Sequence, residues 1–401
     1  MHKRRHTQAH SWFHAILRQT VGRYLKWRYS ITAENLGALK NVPQPWLILP
    51  NHVMTWDPVI ISIFVKQPIY FIASEANFRN RFASWWLRRV GAIPTSKQAT
   101  DMTTLKQMMN LIREGKTVGL FPEGERTWDG VTIDIIPATA KLARLAKVPV
   151  VVPVIKGGFL SLPRWSYKSR RGPVTIEFKL AIGPEEIKQL KLTEIEKRIS
   201  EAIHHDEFEY QKQQKRPYLH RNPAEPLQLS LFICPECRSM NQMASAGSRF
   251  YCRKCDWETQ FSSYGYFRPV DHHRPYFESV RDWYRWQAGE LEHQIRARQN
   301  AGDFSELFSD TPVEYSTGFK FNSLSKKGRG RLSADITGLK FSGRQKDISI
   351  VAEFPWSRIS AINVVYQSQL EFYFEGKLHV FIFPMKDTSG YKYLAIGRII
   401  E

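Results

Sequence analysis

Leu49-Pro50-Asn51-His52-Val53-Met54-Thr55-Trp56-Asp57-Pro58 follows the short apolar run Trp46–Leu49 and precedes another apolar stretch, so it reads as a loop joining a strand to a helix. Asp57 followed by Pro58 is a helix-start signature, because Asp can cap free N–H groups and Pro fits the first helical position. His52 then lies in the entering loop, where its ring can bend back toward the Asp57 carboxylate. A carboxylate on one ring nitrogen fixes the tautomer and leaves the other nitrogen to take a proton from a hydroxyl. With no obvious Ser or Cys nucleophile beside the pair, direct attack by a bound hydroxyl on an activated acyl group is the simpler scheme. The same two residues would also suit a surface loop ended by a capping Asp, so the pair alone does not decide.

Working outward, short strand-like runs alternate with amphipathic stretches over the first half of the chain. Candidate strands are 46–49, 69–73, 117–121, 148–155 and 174–179. Between them, 101–114 places Leu105, Met108, Met109 and Ile112 on one helical face and stops at Gly115, and a second helix runs from Ala138 to Lys147. This is the pattern of an α/β fold, a mixed and mostly parallel sheet flanked by helices. From His204 to about Pro226 the composition turns polar and proline-bearing, which reads as a linker. Ser279–Arg298 reads as one helix with Trp283, Trp286 and Leu291 available for packing. Strand-like runs resume at 333–341, 348–352, 370–374 and 379–383.

The chain has 401 residues, 42% of them hydrophobic and 13% aromatic, which excludes wholesale disorder. Its longest apolar runs, 58–65 and 148–155, fall short of the roughly 18–20 residues of a membrane-spanning helix, so a polytopic membrane protein is not expected. The basic N-terminus lacks the apolar core of a secretion signal, and four cysteines in two CxxC pairs suit a reducing interior. A formal net charge of +20 calls for an anionic partner. Residues 1–220 hold 34 basic against 18 acidic residues and so carry most of that charge, whereas 221–265 come to only +1.

A second block breaks the tie over His52 and Asp57. Phe121-Pro122-Glu123-Gly124-Glu125-Arg126-Thr127 ends a strand, the usual place for site residues in an α/β sheet. Pro and Gly shape a tight turn, Arg126 offers a fork for a phosphate, and Glu123 can hold a hydroxyl or a cation. Taken together and in this order, the Asn-His-x4-Asp and Phe-Pro-Glu-Gly-x-Arg blocks resemble the glycerolipid acyltransferases typified by 1-acyl-glycerol-3-phosphate acyltransferase. The resemblance covers roughly residues 35–200. It implies that His52 and Asp57 are catalytic and that Glu123, Gly124 and Arg126 bind a phosphorylated acceptor. Gly91–Lys97 resembles the family's second motif and adds Lys97 where an Arg is usual, and Val148–Val154 resembles its proline-centred strand. Glu125 stands where a small residue is commoner. The implied reaction carries a fatty acyl group from acyl-CoA or acyl carrier protein to a lysophospholipid, 1-acylglycerol-3-phosphate giving phosphatidate, with no catalytic cofactor.

A lysolipid acceptor lives in a bilayer. Residues 1–30 contain seven Lys/Arg and no acid, with Phe13, Ile16, Leu17, Val21 and Tyr24 at helical spacing and Trp12 and Trp27 nearby, the form of an interfacial amphipathic helix. Residues 79–89 mix Trp with Arg in a second candidate contact. An anionic membrane surface, met from the cytoplasmic side by a peripheral enzyme, is the expected partner.

Cys234-Pro235-Glu236-Cys237 and Cys252-Arg253-Lys254-Cys255, fourteen residues apart, form a four-thiolate signature for structural zinc. Zinc ribbons also meet nucleic acid, but the low charge of this segment argues against it. The organisation expected is a membrane-contact helix at 1–30, an acyltransferase domain at 31–210, a zinc ribbon at 226–262, a helical connector at 275–300 and a β-rich domain at 310–401. The last vaguely resembles a pleckstrin-homology-like domain, with Lys326–Arg331 as a basic loop. The rival reading is a zinc-ribbon adaptor whose acyltransferase domain is inactive and binds lipid, or a nucleic-acid-binding protein.

Overall fold

The computed structural model describes residues 11–95, 102–271 and 274–400, in two compact units. One runs to Arg164 and resumes over Ser169–Tyr218; the other comprises Trp165–Lys168 and everything from Leu219.

The first unit is built on seven strands: β1 (Thr32–Glu34), β2 (Leu47–Ile48), β3 (Ile69–Ser74), β4 (Ile93–Thr95), β5 (Thr117–Gly119), β6 (Val150–Lys156) and β7 (Thr175–Ile182). They lie in the order β1-β7-β6-β2-β5-β3-β4. Every pairing is parallel except β6 with β7, so the mixed, mostly parallel sheet expected from the alternation is present. Its helices are α1 (Ser11–Leu17), α2 (Arg23–Arg28), α3 (Asp57–Ser62), α4 (Arg81–Arg89), α5 (Met102–Arg113), α6 (Ala138–Ala146), α7 (Gly158–Ser161), α8 (Glu186–Gln189), α9 (Leu192–Ile203) and α10 (Glu207–Gln214). One core cluster joins Val118, Val150, Val152 and Val154 of the sheet to Met108 and Ile112 of α5, Leu142 of α6, and Ile195 and Ile199 of α9. The 3.6-residue stripe on α5 is packing, as its spacing predicts.

The stretch 204–218 is folded rather than a linker. Asp206 caps α10 by accepting from the N–H groups of Phe208 and Glu209, Phe208 is fully buried, and Glu207 accepts the Gly157 N–H at 3.1 Å. Tyr218 then closes the unit over Gly172, where a Cβ would stand 2.2 Å from the tyrosine ring. Composition misleads here because these polar side chains find main-chain partners far away in sequence.

In the second unit, β8 (Met243–Ala246), β9 (Arg249–Cys252), β10 (Glu258–Phe261) and β11 (Phe267–Arg268) form an antiparallel sheet beside the cysteines. Helix α11 (Val280–Ala301) supplies the core that so small a module lacks. Its Trp283 ring lies 5.1 Å from Phe250, 5.6 Å from Trp257 and 5.3 Å from Phe267, centroid to centroid. Its Gln287 accepts the N–H groups of Phe232 and Ile233 and donates to Ser230 O.

Seven antiparallel strands follow: β12 (Phe308–Gly318), β13 (Ser325–Ala334), β14 (Gly338–Gln345), β15 (Ile348–Pro355), β16 (Ile359–Val365), β17 (Gln369–Phe374) and β18 (Lys377–Ile382). Their order is β15-β14-β13-β12-β18-β17-β16. The run 333–341, expected as one strand, is broken by an Asx turn in which Asp335 accepts from the N–H groups of Thr337 and Gly338. Helix α12 (Tyr391–Ile400), absent from the sequence reading, buries Tyr393, Leu394 and Ile396. The adjacent Lys392 is fully buried, and its ammonium bonds Asp310 and Asn241.

Replacing Trp283 with Ala opens the aromatic cluster, and urea unfolding of the Trp283→Ala protein is expected to show a loss of about 3–5 kcal/mol.

Candidate active site

Strands β2 and β5 are adjacent and parallel, so the loops leaving their C-terminal ends emerge at one edge of the sheet. That places the His52 loop against the Phe121–Thr127 turn, and the Thr127 N–H donates to His52 O at 3.1 Å. Where β2 ends, the Asn51 side chain takes over its pairing with β6, donating to Ile155 O at 3.0 Å and accepting Ile155 N–H at 2.7 Å. The amide thereby anchors the residue before His52.

His52 Nδ1 lies 2.8 Å from Asp57 Oδ2. Asp57 is the first residue of α3, with Trp56 in the cap position, and its side chain turns back instead of capping forward. The Val53 and Met54 N–H groups donate to the same oxygen at 2.8 and 3.0 Å. Three donors thus converge on a fully buried carboxylate, and its direction is set. The His52 ring stacks on Phe121 at 3.9 Å, and Phe121 in turn stacks on Phe71. Burial lowers the His52 pKa below its ordinary 6.5, while Asp57 raises it and Arg126 and Arg164 lower it further. With Nδ1 engaged, Nε2 is the nitrogen left for a substrate proton.

Glu123 was expected at the acceptor; its two oxygens instead accept main-chain N–H groups, His52 at 2.6 Å and Ile133 at 2.8 Å. It is buried, and burial pushes its carboxyl up to about 8 against the lowering effect of those two bonds. Gly124 adopts φ +74°, and a Cβ there would stand 2.8 Å from Ile136. Half-buried Arg126 donates to Thr55 Oγ1 at 3.1 Å, which joins the two sequence blocks. Burial, and then the neighbouring Arg164, lower its pKa to about 10. Lys97 lies outside the described residues, just beyond β4.

Arg164, Asn51 and Thr55 were not singled out from sequence. The one signal for Arg164 was Glu125, an acid inside an anion-binding block, which calls for a cation beside it.

In the second unit Cys234, Cys237, Cys252 and Cys255 are free thiols whose Sγ atoms all lie within 4.8 Å of one another. Cys234 and Cys255 approach to 3.6 Å, and Cys237 and Cys252 to 3.7 Å. These separations are far longer than the ~2.05 Å of a disulfide. They match the ~3.8 Å edge of a tetrahedron with metal–sulfur arms of about 2.3 Å.

The N-terminal segment and α4 meet within the first unit, where the Phe13 and Trp86 ring centres lie 4.9 Å apart in a tilted pair and the His14 ring pairs with Val90 O. The segment is not a single regular helix: a π-helical turn, Arg18–Gly22, separates α1 from α2. Phe13, Leu17 and Val21, expected on the outward apolar face, are half-buried on the domain. The exposed face carries Trp12, Ile16, Tyr24 and Trp27, and α4 adds Phe82 and Trp85. Among the described residues, no helix is long and apolar enough to cross a membrane.

A histidine held by a buried carboxylate, beside a half-buried arginine at one edge of a mostly parallel sheet, is an arrangement able to take a proton from a bound hydroxyl. The family model described as Acyltransferase matches residues 34–156. The chain is 24% identical over 201 residues to the 1-acyl-sn-glycerol-3-phosphate acyltransferase of Streptococcus pneumoniae, covering 50% of this chain and 72% of that one. Similarity to the enzyme of the same description from Bacillus subtilis is 28% over 113 residues, covering 28% of this chain and 56% of the relative. Among solved structures it is similar to the 1-acyl-sn-glycerophosphate acyltransferase PlsC from Thermotoga maritima, with 21% identity, a TM-score of 0.42, and 47% of this chain and 76% of that one covered.

A carboxyl whose folded-state pKa is raised stabilises the fold at low pH and loses that contribution as pH climbs from about 4.5 through about 8. Unfolding free energy measured across this window should decline in the native protein, and Glu123→Gln should flatten that part of the slope.

Proposed function

We propose that the first unit transfers a fatty acyl group from an acyl thioester to the hydroxyl of a lysophospholipid, with 1-acylglycerol-3-phosphate giving phosphatidate. The observation that carries this reading is the buried Asp57 carboxylate holding His52 by Nδ1 beside Arg126. His52 Nε2 takes the acceptor hydroxyl proton as the oxygen attacks the thioester carbonyl. The tetrahedral adduct collapses, the C–S bond breaks, and the proton passes to the departing thiolate. Asp57 fixes the ring and stabilises the transient imidazolium. Arg126, with Lys97, meets the acceptor phosphate, and Gly124 keeps the turn open. Glu123 acts by positioning, since it ties the His52 main chain to Ile133. The donor is acyl-CoA or acyl carrier protein.

The bilayer that holds such an acceptor is met peripherally, from the cytoplasmic side, by the Trp12, Trp27, Phe82 and Trp85 face. Arg23 and Lys26 precede Trp27 closely in the sequence, and the Arg89 guanidinium lies 4.2 Å from the Trp85 ring centre. The four cysteines hold a structural zinc; Cys252 Sγ also accepts the Lys254 N–H, as a charged knuckle sulfur would. The adaptor reading has less support, because the His52–Asp57 geometry is that of a working base.

His52→Ala should abolish acyl transfer from radiolabelled acyl-CoA to 1-acylglycerol-3-phosphate while the melting curve stays cooperative, and undiminished turnover would sink the assigned chemistry. Because burial lowers the His52 pKa, the base stays neutral through pH 7, and the acid limb of kcat/KM should lie below 6.5. Elemental analysis should find one zinc per chain, lost in Cys252→Ser together with part of the thermal stability.

A further inference from the structure

The turn that carries Arg126 is held from outside both sequence blocks. Arg164, in the loop after α7, is almost wholly buried, and its Nη1 donates to Glu125 Oε2 at 2.6 Å and to the Arg126 carbonyl oxygen at 2.5 Å. Its guanidinium also lies 4.2 Å from the Trp128 ring centre. The side chains of Arg164 and Glu125 are only 4% and 13% exposed, so this is an enclosed ion pair. Such a pair adds little net stability over apolar residues of similar size, and a buried guanidinium deprived of its carboxylate is costly. Its presence at this point therefore calls for a reason other than stability.

Geometry supplies one. Arg164 grips the main chain of Arg126 itself, while the Arg126 side chain reaches Thr55 in the loop between His52 and Asp57. Glu125 neutralises Arg164, so the two together add no net charge to the site, and Arg126 remains the cation of this turn that faces the catalytic loop. Without Glu125, the Arg164 guanidinium would lose the carboxylate it grips, and more positive charge would bear on His52 beside Arg126. Arg126 and Arg164 already push on one another and on the His52 ring.

We propose that Glu125 and Arg164 are a positioning pair that sets the enzyme's preference for acceptors bearing a phosphate monoester. They aim Arg126 at the dianion while keeping the surplus positive charge around His52 low. The inference rests on the acyl-transfer reading above and adds to it two residues that tune its choice of acceptor.

The test uses full-length protein, radiolabelled acyl-CoA, and two acceptors: 1-acylglycerol-3-phosphate and the uncharged 1-acylglycerol. In Glu125→Gln, KM for the phosphate acceptor should rise roughly tenfold and by more than kcat falls, so that preference over the uncharged acceptor shrinks. The acid limb of kcat/KM should move down by about half to one pH unit in Glu125→Gln and up in Arg164→Met, because the first removes a negative charge that offsets Arg164 and the second removes a positive charge near His52. A purely structural pair would not shift the two limbs in opposite directions. Should Glu125→Gln fail to fold, the neutral double variant Glu125→Met with Arg164→Met restores charge balance and should fold with the same loss of acceptor preference. Unaltered acceptor preference and coincident pH limbs in folded variants would overturn the proposal. Failure of the native protein to acylate 1-acylglycerol-3-phosphate would instead overturn the acyl-transfer reading itself.

Discussion

The candidate site of this molecule depends on the direction of one buried carboxylate. Asp57 sits at the start of α3 with its side chain turned back into its own entry loop, where two main-chain N–H groups and a histidine ring compete for its oxygens. The loop cannot relax without leaving those donors unsatisfied in a buried setting, a cost of about 1–3 kcal/mol each. The His52 ring therefore has one orientation, and stacking on Phe121 holds its other face. From that single constraint follow the orientation of the ring and which of its nitrogens is left unengaged by the carboxylate.

The sheet topology exists in service of that site. β2 is only two residues long, yet it lies between β5 and β6, and each neighbour contributes to the site. β5 delivers the turn bearing Glu123, Gly124 and Arg126, and β6 takes the Asn51 amide as though it were another rung of the ladder. Glu123, buried and bound to two N–H groups, then ties the His52 loop to the chain beyond the turn. A short central strand is adequate because side chains continue its hydrogen bonding.

Much of this was readable in the sequence, and the reasons differ by element. The α5 stripe and the cysteine spacing are local patterns, so periodicity and spacing alone were enough to find them. His52 and Asp57 were visible as a pair, although the forward cap expected of Asp57 proved to be a backward reach, since a cap signature does not say which N–H groups the carboxylate will choose. Residues 204–218 were hidden because their polar groups bond to main chain from distant segments, which composition cannot register. Arg164 was hidden for a similar reason: its partner Glu125 lies 39 positions away, and only the fold brings them together. Along the N-terminal segment, the helical spacing of apolar residues was real, but it marked partly the face that packs on the domain and partly the face that looks outward.

The central claim is that Asp57 holds His52 as a neutral base with its proton on Nδ1 and Nε2 bare. Long-range 1H–15N correlation spectra of protein labelled at histidine nitrogen test it most directly at pH 7. An Nδ1–H tautomer is expected for His52, with the Nδ1 proton shifted downfield by the Asp57 carboxylate. An Nε2–H tautomer, or a ring that exchanges freely between the two, would contradict it.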